Sequence, residues 1–171
     1  MNHRLTALAA VVAGCLVLSA CGGSSGTTDS ASGKVDGIPA PAVQPDVKGQ
    51  EAFAAYWVSA INQATKTGKT KPLRSLAAKS CSTCANFADT LDKIYGHGGR
   101  VETDGWKVKS VIPIANQPKS TPGVQLNIQV APQTVYLTKS AKPKTYKGGK
   151  ESFRFFMTRQ HDHWMVQRLD V

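Results

Sequence analysis

The stretch QEAFAAYWVSAINQATKTG, residues 50–68, determines the first element of the fold. Its apolar residues recur at helical spacing and form one stripe along a single helix face: Phe53, Trp57, Ala60, Ile61 and Ala64. Gly68 comes directly after this pattern, and glycine is the residue that most often ends a helix. The stretch therefore predicts an amphipathic helix that buries an aromatic face.

Two further helical segments follow in the sequence. KPLRSLAAK, residues 71–79, allows a short second helix, because Pro72 is acceptable in the first turn of a helix. STCANFADTLDKIYGHGG, residues 82–99, repeats the long helical pattern. Ser82 or Thr83 is the expected N-cap, and the glycines at the end of the segment are expected to terminate the helix.

After residue 100 the apolar period changes from helical to two. Alternation of this kind runs through residues 106–112, 124–130, 153–157 and 164–168. TVYLT, residues 134–138, follows the second of these stretches. Four such strands with turn-rich connections predict an antiparallel sheet with one covered face. Helices first and strands afterwards predict an α+β fold, with about three N-terminal helices on one side of a curved four-stranded antiparallel sheet.

The N-terminal residues predict where the protein is located. LTALAAVVAGCLVLSA, residues 5–20, is shorter than the roughly 20 apolar residues of a membrane-spanning helix, and it follows Arg4 as in a secretory signal. LSAC, residues 18–21, resembles the lipobox of bacterial lipoproteins, whose cysteine receives diacylglycerol before cleavage on its N-terminal side. The resemblance implies a lipid on Cys21 and a lipid-anchored protein on the extracytoplasmic face of the cell membrane. An ordinary signal peptide with a coincidental cysteine is the alternative.

Composition and charge divide the chain into three parts. We expect a signal peptide over 1–20, the lipidated Cys21 with a disordered Gly/Ser/Pro tether over 21–48, and a globular domain over 49–171.

The formal net charge is +10, from 21 Lys and Arg against 11 Asp and Glu. This excess favours anionic partners, of which nucleic acid is excluded because it is absent from the expected compartment.

The order of the elements resembles the cone-shaped superfamily of nuclear transport factor 2 and the SnoaL-like proteins. In that superfamily, three helices and a strongly bent sheet enclose a cavity. EAFAAYW at 51–57, SCSTCANFADTLDKIY at 80–95 and GGR at 98–100 are similar to actinobacterial envelope lipoproteins that carry a single domain of unknown function. The resemblance implies a location and a fold, but it implies no activity.

Cys15 lies in the predicted signal peptide and Cys21 is the predicted lipidation site, so the remaining cysteines are Cys81 and Cys84. Outside the cytoplasm such a pair is expected to be oxidised to a disulfide, which would contribute on the order of 2 kcal/mol to the free energy of unfolding. A thioredoxin-type redox pair is an alternative, although that motif normally follows a strand. A zinc site with His161 and His163 is a second alternative, but nothing in the sequence brings these histidines near the cysteines.

Side chains that could perform acid–base chemistry are few. Asp89 and Asp92 are expected to face outward, since the apolar stripe of their helix faces the core. His97 lies among glycines, and His161 and His163 flank a predicted hairpin tip. We therefore assign no catalytic residue, no cofactor and no metal ligand.

Two groups of residues are candidate binding sites. The first is a set of apolar side chains that could line a cavity for a small ligand or could instead fill the core: Phe53, Trp57, Phe87, Leu91, Tyr95, Trp106, Phe155 and Trp164. The second is KSAKPKTYKGGK, residues 139–150, which has five lysines and no acid and is expected to be a loop that connects the strand ending in TVYLT to ESFRFFMT, residues 151–158. These lysines could bind an anionic surface or could only keep the loop solvated: Lys139, Lys142, Lys144, Lys147 and Lys150.

Three functional hypotheses follow from these features. The first is a non-catalytic module that binds an envelope protein, an anionic lipid or an anionic wall polymer. The second is a carrier of a small hydrophobic ligand in the cavity of the cone. The third is an isomerase- or dehydratase-like enzyme, which requires a buried acid or histidine in that cavity.

Overall fold

A computed structural model of the chain describes residues 37–171. The predicted signal peptide, Cys21 and the predicted tether up to residue 36 lie outside the described residues. The elements are, in chain order, a 3₁₀ helix Ala40–Val43, α1 Val47–Thr67, α2 Lys71–Arg74, α3 Ser82–Gly96, β1 Gly98–Thr103, β2 Trp106–Pro113, β3 Gly123–Val130, β4 Gln133–Thr138, β5 Lys144–Tyr146, β6 Gly149–Gln160 and β7 His163–Asp170. Within residues 37–171, no helix is both long enough and apolar enough to cross a membrane.

The first helix, α1, has the C-terminal boundary and the buried face that its pattern predicts, but it begins at Val47, ahead of the predicted stretch. Asp46 caps its start, because the carboxylate accepts a hydrogen bond from the backbone N–H of Gly49 at 2.8 Å. Gly68 ends the helix with φ 71°, a left-handed conformation that glycine adopts without strain. Phe53 and Trp57 are fully buried. The amphipathic helix is confirmed.

The third helix, α3, begins and ends differently from the prediction. Cys81 is its N-cap in place of Ser82 or Thr83, and its Sγ accepts from the backbone N–H of Cys84 at 3.3 Å. Cys81 and Cys84 also form a disulfide across the first turn of the helix, with Cα atoms 5.3 Å apart. The helix ends at Gly96, and the glycines at 98 and 99 belong to strand β1.

Within residues 37–171, seven strands form two antiparallel sheets. The larger sheet has the order β2-β3-β6-β7 and contains four of the stretches whose alternation predicts strands. The smaller sheet has the order β1-β4-β5. TVYLT lies in β4 of the smaller sheet, and residues 144–146 of the predicted lysine loop form β5, which pairs with β4. The α+β fold is confirmed, but the prediction of a single four-stranded sheet was incomplete.

The hydrophobic core lies between the helices and one face of the larger sheet. Alternate residues of β3 and β6 supply the sheet side of the core, and among them Leu126 and Phe155 are fully buried. Trp57 of α1 meets the Phe155 ring edge to face, with centroids 5.2 Å apart. The other faces of these two strands carry polar side chains such as Asn127 and Arg154. One face of the larger sheet is therefore left to solvent.

The folded region begins before residue 49, the boundary that the sequence indicated. Ile38, Ala42 and Val43 are buried in the core, and the 3₁₀ helix lies within the segment that was expected to be a tether. The indole N–H of Trp164 donates to the carbonyl of Gln44 at 2.7 Å. Residues 37–48 are thus part of the domain.

Candidate functional site

An apolar cleft with a volume of about 760 Å³ lies between the helices and the smaller sheet. Its walls come from α1, α3, β1, β2, β4 and β5, and most of its lining side chains are apolar. The lining residues are Ile61, Thr65, Phe87, Thr90, Leu91, Lys93, Ile94, His97, Val101, Trp106, Gln133, Val135, Leu137, Thr138 and Tyr146. A concave apolar surface with a few polar groups is typical of small-molecule binding sites, which range from about 300 to 1,000 Å³.

The smaller sheet forms one wall because its strands alternate. Gln133, Val135 and Leu137 of β4 point to the same face, and all three line the cleft. Leu137 is 54% exposed, so this wall presents an aliphatic side chain directly to solvent at the cleft. On the opposite face of the sheet, the guanidinium of Arg100 lies over the ring of Tyr136, 3.6 Å from its centroid.

Helix α3 forms the facing wall through residues spaced three and four apart. Phe87, Leu91 and Ile94 occupy one side of the helix and present their side chains to the cleft. Lys93 and His97 lie at the last turn and carry the basic groups of the lining. Both are exposed, and the imidazole Nδ1 of His97 lies 2.6 Å from the carbonyl oxygen of Lys93.

Trp106 closes the cleft between these two walls, and Asn62 of α1 holds it in place. The side-chain Nδ2 of Asn62 donates to the carbonyl of Trp106 at 2.9 Å, and the N–H of Trp106 donates to Oδ1 at 2.8 Å. The indole of Trp106 meets the ring of Phe87 edge to face, with centroids 5.6 Å apart. The start of β2 is therefore fixed to α1 by a two-point contact.

The eight apolar residues that the sequence proposed as cavity lining separate into two groups. Phe87, Leu91 and Trp106 line the cleft. Phe53, Trp57, Phe155 and Trp164 are instead buried in the core, none of them more than 3% exposed. Tyr95 also lies outside the lining, and its hydroxyl donates to the carbonyl of Thr65. Four of the eight residues therefore fill the core, which was the alternative that the sequence left open.

The five lysines of residues 139–150 are all exposed, but they do not form one loop. Lys144 begins β5 of the smaller sheet, and Lys150 lies in β6 of the larger sheet. Lys139, Lys142 and Lys147 lie in the turns and connections between these strands. The segment therefore contributes positive charge to two separate sheets.

The carboxylates of α3 form a surface ion-pair cluster. Nη2 of Arg74 lies 2.6 Å from a carboxylate oxygen of Asp89 and 2.6 Å from one of Asp92. The hydroxyl of Thr70 also donates to Asp92 at 2.7 Å. Hydrogen bonding from Arg74 first, and from Thr70 second, lowers the pKa of Asp92 below its ordinary value. Both carboxylates point away from the core as predicted, and neither lines the cleft.

The remaining histidines lie at the β6–β7 hairpin. His161 is exposed in the turn with φ 55°, and His163 begins β7. Within residues 37–171, no three His, Cys, Asp or Glu residues are grouped so that they could hold a metal ion. The structure thus does not bring His161 and His163 together with Cys81 and Cys84, which form a disulfide.

Sequence reasoning missed the sheet wall of the cleft. Val135 and Leu137 alternate within QTVYLT, which was interpreted as part of the neighbouring strand. Tyr146 lies in a lysine-rich segment that was interpreted as a loop. Pro132, just before QTVYLT, is the signal that could have separated the two strands, because proline cannot donate to a sheet ladder.

Comparison with known proteins identifies a family and one similar fold. The model of a family described as "Family of unknown function (DUF6318)" matches residues 37–170. No curated protein matches the sequence. The crystal structure of the intermembrane space region of chloroplast protein ARC6 has a TM-score of 0.55 at 12% identity, over 74% of this chain and 95% of that one. At this identity the likeness concerns the fold alone.

Two further solved structures are more distant. One is an uncharacterized protein with a cystatin-like fold from Caulobacter vibrioides, with a TM-score of 0.40 and 7% identity over 68% of this chain and 83% of that one. The other is an NTF2-like protein with a cystatin-like fold from Novosphingobium aromaticivorans, with a TM-score of 0.36 and 12% identity over 67% and 75%. TM-scores of this size carry no functional argument.

Proposed function

Since the chain belongs to a family of unknown function, DUF6318, we propose its function from the geometry of the cleft: the domain binds a small apolar ligand and does not transform it. The observation that carries the proposal is the apolar cleft of about 760 Å³ between α3 and the smaller sheet. We infer further that the helices and sheets form the cone-shaped arrangement of the SnoaL-like proteins, with this cleft as the mouth of the cone.

The ionisable groups of the cleft support binding over catalysis. A proton-transfer enzyme needs an acid or base held close to the substrate, commonly in a buried position that tunes its pKa. Lys93 and His97 are exposed at the end of α3, and Asp89 and Asp92 are paired with Arg74 outside the cleft. An isomerase- or dehydratase-like reaction has less support than the binding of an apolar ligand.

We also propose that the domain is held outside the cell by a lipid on Cys21. The lipobox-like residues 18–21 support this placement, and so does the disulfide between Cys81 and Cys84, since disulfides persist in oxidising compartments. Intact-mass analysis of the native protein tests the proposal. A chain that begins at Cys21 and carries acyl groups is expected, whereas an unmodified cysteine or a retained N-terminus would refute the anchor.

The cleft itself can be tested with a matched pair of variants. Leu137 lines the cleft and is 54% exposed, while Ile112 of β2 is 49% exposed and does not line it. Leu137→Glu places a charge in the apolar wall and should weaken binding of an apolar fluorescent probe by more than about tenfold. Ile112→Glu should leave the affinity unchanged. Equal affinities for both variants, or no binding of any apolar probe to the wild type, would refute the function.

A second candidate function rests on the solvent-exposed face of the larger sheet. Register places Lys107, Gln129 and Lys150 side by side across β2, β3 and β6, and places Arg154 farther along the same face. A groove of about 530 Å³ on this sheet is lined by Lys109, Asn127, Ile128, Gln129, Lys150, Glu151 and Ser152. Amides, hydroxyls and cations together suit an anionic polymer that also carries hydroxyl groups, such as a wall polysaccharide.

Binding to a uronate polysaccharide, alginate, tests this second candidate. The affinity should fall steeply with added salt, because exposed charges are screened. Lys150→Glu/Arg154→Glu should weaken binding about tenfold or more, whereas the control Lys48→Glu/Lys79→Glu changes the net charge equally and should have a smaller effect. Equal losses in the two variants would show that net charge alone is responsible. Binding to anionic vesicles and not to alginate would assign this face to the membrane.

A further inference from the structure

We propose that the ligand of the cleft is a single-chain anionic amphiphile, whose chain lies against the apolar walls and whose anionic head lies between Lys93 and Lys144. This inference rests on the proposed ligand-binding function and names the chemical class of the ligand. It is carried by the positions of the two lysines at the cleft and by the absence of acidic side chains from its described lining.

The register of β5 places the side chain of Lys144 on the cleft face of the smaller sheet, next to residues that line the cleft, although Lys144 itself is not part of the lining. Val135 of β4 is paired with Lys144, and Gln133 is paired with Tyr146. Directly opposed residues of an antiparallel ladder project from the same face of the sheet. Gln133, Val135 and Tyr146 line the cleft, so the side chain of Lys144 also leaves the sheet on the cleft face.

Lys93 stands on the facing wall, in the last turn of α3. It lines the cleft beside Ile94, and its ammonium is exposed. A lysine side chain can lay its methylene stem along apolar surface while its charged end remains in water. Lys93 and Lys144 can therefore flank a bound molecule from two sides without being buried.

The lining favours an anion over a cation or a neutral ligand. The described residues that line the cleft include no Asp and no Glu, and their basic side chains are Lys93 and His97. A cationic amphiphile would meet like charge at the rim of the cleft. A neutral one would use the apolar walls but would gain nothing from the two lysines.

The size of the cleft selects a single chain. A volume of about 760 Å³ lies within the range of sites that enclose one drug-sized molecule, and the basic groups lie at the last turn of α3 and on the edge strand β5. A fatty acid or an alkyl phosphate has one apolar chain and one compact anionic head, which matches this division of the site. The shared chemistry of the ligand is therefore one alkyl chain with one carboxylate or phosphate.

Matched alkyl probes test this ligand class. Dodecanoate, dodecyl phosphate and the neutral dodecanol have the same chain, and each is titrated at low ionic strength below its micelle-forming concentration. The wild-type protein should bind both anions more tightly than dodecanol, by about fivefold for each lysine engaged. A preference for the phosphate over the carboxylate, or the reverse, identifies the head group.

Removal of the two charges provides the decisive variant. Lys93→Met/Lys144→Met keeps both apolar stems and should lower the affinity for dodecanoate to about that for dodecanol. The control Lys48→Met/Lys79→Met removes the same charge at exposed positions that do not line the cleft, and should retain the preference for the anion.

The possible outcomes separate the two proposals. Equal binding of dodecanoate and dodecanol by the wild type would overturn the anionic class and leave the apolar-ligand function in place. The same conclusion would follow if both double variants lost the preference equally, since net charge would then be its cause. Failure of the wild type to bind any of the three probes would overturn the proposed function together with this inference.

Discussion

Asn62 hydrogen-bonds to both backbone groups of Trp106, at 2.9 Å to its carbonyl and 2.8 Å from its N–H. The contact joins the middle of α1 to the first residue of β2, across 44 residues of chain. Trp106 lines the cleft, so a polar side chain on the helix fixes the position of an aromatic wall. The geometry of the cleft thus depends on a residue that does not line it.

Asn62→Ala should lower the free energy of unfolding by about 2 kcal/mol, because each lost hydrogen bond contributes about 1 kcal/mol. Urea denaturation monitored by tryptophan fluorescence measures the change. Asn86→Ala, at an exposed position of α3, is the control and should lie within about 0.5 kcal/mol of the wild type. Equal stability of the two variants would show that the Asn62 contact contributes nothing.

Removal of the disulfide should destabilise the start of α3. Cys81→Ser/Cys84→Ser loses a crosslink that closes a short loop, which the chain-entropy model values at about 2 kcal/mol. A reducing agent should lower the midpoint of thermal unfolding of the wild type and leave that of the variant unchanged. If the reductant lowered both midpoints equally, its effect would not arise from this disulfide.

The ion pair between Arg74 and Asp92 should stabilise the fold only where Asp92 is ionised. The pKa of Asp92 is lowered from its ordinary value of 3.8 in the folded state, so its stabilising contribution is complete above that value and is lost as the pH falls through the folded-state pKa. A double-mutant cycle of Arg74→Gln and Asp92→Asn should give a favourable coupling free energy at about pH 7, and this coupling should decrease as the pH falls through the folded-state pKa of Asp92.

The size of this coupling should also depend on salt. The side chains of Arg74 and Asp92 are 39% and 46% exposed, so solvent screens their attraction. High salt should reduce the coupling at about pH 7. A coupling that stayed constant from neutral to acidic pH would contradict an ionic origin.

Trp164→Phe should release the N-terminal segment of the domain without emptying the core. The variant keeps an aromatic ring but cannot donate to the carbonyl of Gln44. Proteolytic cuts within residues 37–46, located by mass spectrometry, should appear faster than in the wild type. Trp106→Phe, whose parent residue makes no bond to this segment, should show the wild-type rate there, and equal rates in both variants would refute the role of Trp164.

The sequence predicted those elements that bury one face in a regular period. The helical spacing of Phe53, Trp57 and Ile61 indicated α1, and the alternation of Leu126 and Ile128 indicated β3. Both patterns reflect burial against the core, and all five side chains are at most 2% exposed. Such periodicity is a strong signal because folding buries every second residue of a half-buried strand and every third or fourth residue of an amphipathic helix.

Elements with little burial were missed because they lack this periodic apolar pattern. All three residues of β5 are exposed, so no apolar alternation marks it, and its strand character comes from pairing with β4. Strand β1 begins with Gly98 and Gly99, although the sequence pattern predicts that these glycines end a helix. Ile38, Ala42 and Val43 are separated by small residues and prolines, and their burial depends on distant parts of the chain.

The candidate site was less predictable than the fold. A periodic pattern shows which face of an element turns inward, but it does not show whether the space on that side is filled. Phe155 and Trp106 are both aromatic residues of predicted strands, yet the first is buried in the core and the second lines a cleft. The difference is made by the smaller sheet, whose existence depends on long-range pairing.

The attachment of the N-terminal segment determines where a mechanical load enters the domain. Arg159 and Trp164 face each other across β6 and β7, and they bind the carbonyls of Val43 and Gln44 at 2.8 and 2.7 Å. The hydroxyl of Tyr56 in α1 also donates to the carbonyl of Gly37 at 3.3 Å, so tension applied to the chain ahead of residue 37 would reach α1 as well as this hairpin. The side chains that anchor the segment, Tyr56, Arg159 and Trp164, do not line the cleft, so the load would enter the domain away from the cleft walls.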